Sequence, residues 1–289
     1  ARSYGDSEKV IGGVMRKRRS ECYLSTKTLR RSRKDTAADI DSSLRHFKTD
    51  VIDFYFCHDV SRAEDWKAVM SRTGSLAAIR AAQKAGKIRY AAVSTHTRDN
   101  AIQAIRSGEF DVIMLPVNLF DQEFITHVLP VARRHGIGIV GMKPLAGGAF
   151  THPQIALRYS LAQDVDTQLV GMASLDEFEE NFTIADALKP LSRREMARLL
   201  ADARRLGTDF CRQCGYCLPC RKAIDIPRVF LYERYARRFW LEDRAEAEYA
   251  NLEVAADRCV KCGACEKRCP YGLPIRRKLE AAHRLLARA

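Results

Sequence analysis

Between residue 1 and about residue 175, short apolar runs rich in β-branched side chains recur roughly every thirty residues. A stretch with apolar positions at helical spacing follows each one. Six runs read as strands: residues 22–28, 51–58, 90–94, 112–117, 137–143 and 168–172. They lack the polar alternation of a half-exposed antiparallel strand, so both of their faces are expected to be covered. Of the intervening helices, one carries Ile40, Leu44 and Phe47 after a candidate cap at Thr36, and another runs through Leu76, Ile79 and Ala82 to a stop at Gly86. Strand and helix alternating at the size of a βαβ step predict a parallel α/β sheet. Polar residues stand where the strands end, at Lys27, His58, Ser94, Asn118 and Lys143. Such ends converge on one face of a closed barrel, and no Gly-rich phosphate turn follows the first strand as in an open doubly wound sheet.

Composition adds limits. With 289 residues, 46% hydrophobic and 29% charged, the chain can bury a large core and is not expected to be disordered. No apolar run approaches the ~20 residues of a membrane helix and no signal peptide opens the chain, so a soluble cytoplasmic protein without membrane association is expected. The net charge of +13 is uneven. Residues 191–289 hold 22 Lys and Arg against 13 Asp and Glu, or +9, which leaves +4 for the first 190.

Past residue 175 the pattern changes to a charged, helix-rich segment, 175–206, whose Arg193, Arg194, Arg198, Arg204 and Arg205 read as a solvated face. Beyond it lie eight of the 10 cysteines, in two windows. The first is Cys211, Cys214, Cys217 and Cys220; the second is Cys259, Cys262, Cys265 and Cys269, followed by Pro270. The second window has the spacing and the proline of the bacterial ferredoxin run. Three thiolates at i, i+3 and i+6 can wrap one iron-sulfur cube, with Gly215 and Gly263 supplying backbone freedom. A structural zinc would use four cysteines and leave four over, and disulfides suit neither the compartment nor a chain with a large core. Two 4Fe-4S clusters are therefore favoured. In two-cluster ferredoxins the fourth cysteine of each run serves the other cluster. That rule predicts one set of Cys211, Cys214, Cys217 and Cys269 and another of Cys259, Cys262, Cys265 and Cys220. In the first window the fourth cysteine follows after only two residues, with Arg221 where proline is usual. Cys22 and Cys57 read as small core residues.

Several motifs resemble the aldo-keto reductases. The opening Ala1-Arg-Ser-Tyr4-Gly5-Asp-Ser-Glu8 is similar to that family's segment after its second barrel strand. The stretches around Lys27, Asp53 to His58, and Val93-Ser94-Thr95-His96 resemble its next landmarks in the same order, and Lys143 to Gly148 and Glu180-Asn181 extend the likeness to about residue 185. With the cysteine windows, the chain resembles the subgroup that carries a C-terminal ferredoxin-type dicluster domain. The family pattern places two more strands and an Asp ahead of Ala1, so the chain reads as a (β/α)8 TIM-type barrel lacking its first strands, followed by a small helical ferredoxin-like domain. The expected layout is a barrel over 1–190, a linking helix over 191–206, a dicluster domain over 207–275 with a helical insertion at 221–258, and a C-terminal basic helix over 276–289.

The resemblance implies an oxidoreductase acting on a carbonyl/alcohol pair. Tyr4 would be the general acid, Lys27 the cation that lowers the phenol pKa, and His58 the group orienting the carbonyl. A phenol near pKa 10 needs such a neighbouring ammonium to work at neutral pH. Ser94, Lys143, Gly147, Glu177, Glu180 and Asn181 are the implied nicotinamide-binding positions. Relatives that use NADPH carry basic residues where this chain has Gly171, Met172 and Glu177. A carboxylate accepts a hydrogen bond from a ribose hydroxyl and repels a phosphate, which favours NADH over NADPH. The basic excess of the C-terminal part would steer an acidic redox protein, while nucleic acid is disfavoured because the arginines are not interleaved with stacking aromatics. The competing reading is an electron-transfer or docking module whose barrel is catalytically silent.

Overall fold

The computed structural model describes residues 1–207 and 209–287, with the side chains of Leu206 and Phe239 left aside. It comprises two compact units, Ala1–Pro144 with His152–Met196, and Leu145–Thr151 with Ala197–Ala289.

The first unit is a curled sheet of six strands among the described residues: β1 Ser25–Thr28, β2 Ile52–Cys57, β3 Ile88–Ser94, β4 Val112–Pro116, β5 Gly138–Met142 and β6 Thr167–Leu169. They are hydrogen-bonded in sequence order and every pairing is parallel, as in part of a (β/α)8 barrel. Helices α1 Ser7–Arg18, α2 Arg33–Phe47, α3 Ala63–Met70, α4 Ser75–Lys84, α5 Arg98–Ser107, α6 Leu129–Arg134, α7 Pro153–Leu161 and α8 Leu175–Asp186 accompany the strands, and α9 Arg193–Leu206 follows. In β2 and β4 nearly every residue is buried, which explains the missing alternation there, whereas β5 alternates between buried and half-buried positions and β6 is largely exposed. Tyr55, Ile113, Leu115 and Ile139 belong to the large core with Phe47 and Ile79 from the helices, while Phe56, Ala92, Val112 and Met114 form a second layer. The helices approach closely where glycine allows it. A Cβ at Gly12 of α1 would lie 1.9 Å from the His46 carbonyl oxygen of α2.

Register sets the position of the strand ends. Thr28 pairs with Cys57 and Cys57 with Val93, so the residues that follow reach the same rim. At the opposite end, buried Asp53 accepts from the Leu24 amide at 2.7 Å and pairs with Arg19 at 2.6 Å and Arg89 at 2.7 Å. Two local expectations are corrected. The cap of α2 is Ser32, whose hydroxyl accepts from the Asp35 amide; Thr36 lies one turn inside the helix and is buried. Cys22 precedes β1 and is exposed, whereas Cys57 is buried as expected.

The second unit contains α10 Ile226–Phe239, α11 Glu242–Ala250, α12 Ala264–Arg268 and α13 Ile275–Leu286. Its core gathers Ile224, Val229, Phe230, Tyr249 and Leu273 around the apolar stripe of α13: Ile275, Leu279, Ala282 and Leu286. The Tyr249 hydroxyl lies 2.7 Å from His283 Nδ1 and accepts from the Ala256 amide at 2.8 Å, pinning α11 to α13. Of the helix expected over 276–289, Arg288 and Ala289 lie outside the described residues. No helix among the described residues is long and apolar enough to cross a membrane.

Candidate active site and cluster ligands

Lys27 lies in β1, His58 directly follows β2, Ser94 ends β3 and Lys143 directly follows β5, so all four stand at the C-terminal rim of the sheet. Tyr4, in the loop before α1, joins them. Its ring lies 4.5 Å from the Lys27 ammonium and meets the His58 ring edge-on, with centroids 6.4 Å apart. The phenol is 55% exposed, open to an incoming molecule, whereas the imidazole is buried. Burial and the adjacent Lys27 charge push the His58 pKa down to about 3. At neutral pH it is therefore an uncharged hydrogen-bonding group. Arg31 fixes the chain after β2 by donating to the His58 and Asp59 carbonyls at 2.8 and 3.0 Å.

A second pair at this rim carried no assigned role in the sequence. Asp59 has a left-handed backbone, with φ +53°, and its carboxylate lies 3.4 Å from Nδ1 of buried His96. Burial opposes ionisation of Asp59, but contact with His96 and the Ser61 hydroxyl outweighs it and keeps the carboxyl below its usual pKa. Burial lowers the His96 pKa against the pull of Asp59. The strained backbone at Asp59 is the signal that finds this pair, and it is invisible in sequence. Ser94 accepts from the Asp59 amide at 2.9 Å, and Asn118 donates to the Lys143 carbonyl at 3.0 Å.

The other expected nicotinamide positions are more dispersed. Glu177 Oε2 accepts from the Ala173 amide at 2.6 Å while the Ser174 hydroxyl accepts from the Glu177 amide, a local cap for α8. Glu180 is exposed and accepts from Gln154; Asn181 is half-buried. Gly147 belongs to the second unit. Its φ is +73° and a Cβ there would lie 2.8 Å from the Arg212 carbonyl oxygen, so protein backbone makes the close approach that requires glycine.

None of the ten cysteines is in a disulfide. Cys211, Cys214, Cys217 and Cys269 lie within electrostatic reach of one another, and burial together with Cys211 and Cys214 pushes the Cys217 thiol up to about 12. Cys220, Cys259, Cys262 and Cys265 line one cavity. No three metal-ligating side chains among the described residues converge on a point, as a single ion would require. Two buried cations flank the first group. The Arg212 guanidinium stacks between Phe210 and Tyr271, 3.9 and 4.6 Å from their centroids, and Arg234 donates to the carbonyls of Cys211 and Gly147. Arg268 lines the cavity of the second group and donates to the Cys217 carbonyl at 2.6 Å, which ties the two groups together.

Residues 1–154 match the model of the aldo/keto reductase family. The chain belongs to the aldo/keto reductase family. Residues 210–274 match a 4Fe-4S dicluster domain, so this aldo/keto reductase is an iron-sulfur oxidoreductase. Among solved structures, the holo form of aldo-keto reductase AKR11C1 from Bacillus halodurans is similar at TM-score 0.57 and 22% identity, covering 68% of this chain and 77% of that one. An aldo-keto reductase from Klebsiella pneumoniae in complex with NADP and acetate is similar at TM-score 0.55 and 21% identity, covering 66% and 74%. At that identity the likeness speaks for the fold. No curated protein matches the chain.

The thiols fit iron-sulfur ligation. Buried thiols that raise one another's pKa values are protonated at neutral pH until a strong local cation draws off the protons, and iron supplies that charge.

Proposed function

We propose that this reductase interconverts a carbonyl and an alcohol with a nicotinamide, and exchanges single electrons through two 4Fe-4S clusters. The observation that carries the reading is the meeting of Tyr4, Lys27 and His58 on one rim, drawn from three elements widely separated in sequence. Tyr4 donates its phenolic proton to the carbonyl oxygen as the alcohol forms. Lys27 favours the phenolate that remains, because an ammonium beside a phenol stabilises its anion. Neutral His58 donates a hydrogen bond that orients the carbonyl without adding a competing charge. Half-buried Asp59 and buried His96 brace that rim.

Bound nicotinamide would supply hydride. Ser94, Lys143, Glu180 and Asn181 are the proposed binding residues. Gly147 is left out of this set, since its tight approach serves the Arg212 backbone. Glu177 supports NADH over NADPH, because a carboxylate repels a 2′-phosphate. For the clusters, the grouping of the thiols supports Cys211, Cys214, Cys217 and Cys269 as one ligand set and Cys259, Cys262, Cys265 and Cys220 as the other. An acidic protein is the proposed electron carrier, drawn by the basic C-terminal part.

The test is Tyr4→Phe in anaerobically purified, iron-loaded protein. Carbonyl turnover should fall by about 10²–10⁴-fold with NADH binding unchanged. Retained turnover removes Tyr4 from the mechanism, and a protein that binds neither NADH nor NADPH is a silent barrel.

A further inference from the structure

The two cysteine groups differ in exposure. In the first, Cys217 is buried and Cys211, Cys214 and Cys269 are half-buried, with two buried guanidinium groups alongside. In the second, Cys262 is exposed and its neighbour Val260 is 54% exposed. Arg221, Lys222, Arg268 and Arg276 line the cavity of that second group, and no carboxylate does. Exposed Lys261 adds a further cation beside Cys262. Glu266 is held by Arg276 at 2.7 Å, and Glu280 is shared between Arg284 at 3.3 Å and Lys261 at 4.0 Å.

We infer that the surface around Cys262 is the docking port for an acidic one-electron carrier protein, with Val260 as its apolar centre and Arg221, Lys222 and Lys261 as its steering charges. A cluster carrying about −2 cancels only part of the positive charge around it, so the face stays attractive to an acidic surface. Electron transfer needs a cluster near the surface, and weak redox encounters combine a small apolar contact with a charged rim. The first group does not offer this, because its flanking cations are covered by Phe210, Tyr271 and the 145–151 segment. In the exchange, a reduced carrier loses one electron and the oxidised cluster at Cys220, Cys259, Cys262 and Cys265 gains it, with no bond made and no proton moved.

This inference rests on the two-cluster proposal above and not on the carbonyl chemistry. Reduction of the oxidised clusters is followed by their bleaching in a stopped-flow instrument, with a reduced acidic [2Fe-2S] ferredoxin as one probe and the cationic radical of methyl viologen as the other. Combined Arg221→Glu, Lys222→Glu and Lys261→Glu should slow reduction by ferredoxin about tenfold or more at low salt and leave reduction by viologen no slower. The rate for the unaltered protein should fall steeply as salt rises. Three reversals elsewhere, Arg193→Glu, Arg198→Glu and Arg204→Glu on α9, should leave it within about twofold. An unchanged ferredoxin rate in the first variant, or an equal loss in the second, overturns the port. Iron and sulfide content, with the cluster resonance spectrum, confirms that each variant is loaded. A port that responds as expected in a protein lacking carbonyl turnover would refute the barrel chemistry and leave the port standing.

Discussion

His58 should behave as a histidine that does not titrate in the physiological range. Its pKa falls from 6.5 to about 3, and at 1.36 kcal/mol per unit the cost of protonating it in place is about 5 kcal/mol. The unfolded chain binds this proton near pH 6.5 and the folded one only near 3. Stability from this source is therefore complete above pH 6.5 and is lost as the pH falls toward 3. At pH 5.5, where the loss is still modest, it amounts to about 1.4 kcal/mol. Chemical unfolding of the unaltered protein and of His58→Gln at pH 7.5 and 5.5 isolates the effect. The difference between the two proteins should shift by about 1.4 kcal/mol over that interval, while the His58 imidazole resonance, assigned by its absence in the variant, stays fixed. Lys27→Met removes the second cause of the depression and should raise the His58 pKa. A His58 signal that titrates between pH 6 and 7, or a stability difference independent of pH, would refute burial as the controlling effect.

Two further outcomes are expected. Gly147→Ala combines a left-handed backbone with a collision against the Arg212 carbonyl and should cost about 2–4 kcal/mol. Gly148→Ala, at φ +75° with its nearest neighbour 3.9 Å away, should cost only about 1–2 kcal/mol, and thermal unfolding of the pair reads the difference. Cys269→Ser and Cys220→Ser should each reduce the iron from about eight to about four atoms per chain, Cys269→Ser losing the same cluster resonance as Cys211→Ser and Cys220→Ser the same one as Cys262→Ser; the opposite matching would show that the windows do not exchange their fourth ligands.

The strands in the middle of the sheet were legible because β2 and β4 are buried along nearly their whole length and so carry apolar runs; the structure trims the expected strands by one to three residues at their ends, except that β3 begins two residues and β6 one residue earlier than expected. Lys27, His58, Ser94 and Lys143 were legible for a related reason, since a polar residue closing an apolar strand has only the rim to occupy. The cap of α2 was misplaced because Ser32 and Thr36 are both plausible caps one turn apart, and only the hydrogen bond to Asp35 separates them. Asp59 with His96 depends on a backbone twist, and Arg234 with Gly147 joins residues 87 positions apart. Neither leaves a periodic trace. The cysteine windows were the clearest signal, because ligand spacing is fixed by the geometry of the group that is held.

Arg234 joins the first cysteine window to the 145–151 segment within the second unit. One guanidinium grips the carbonyl of a proposed iron ligand, Cys211, and the carbonyl of Gly147, five residues beyond Met142 at the end of β5. With iron held at Cys211 as proposed, loss of the metal would slacken one end of this tether and leave the 145–151 segment of the same unit less firmly held. Iron supply would thereby become a structural input to a part of the protein that holds no iron.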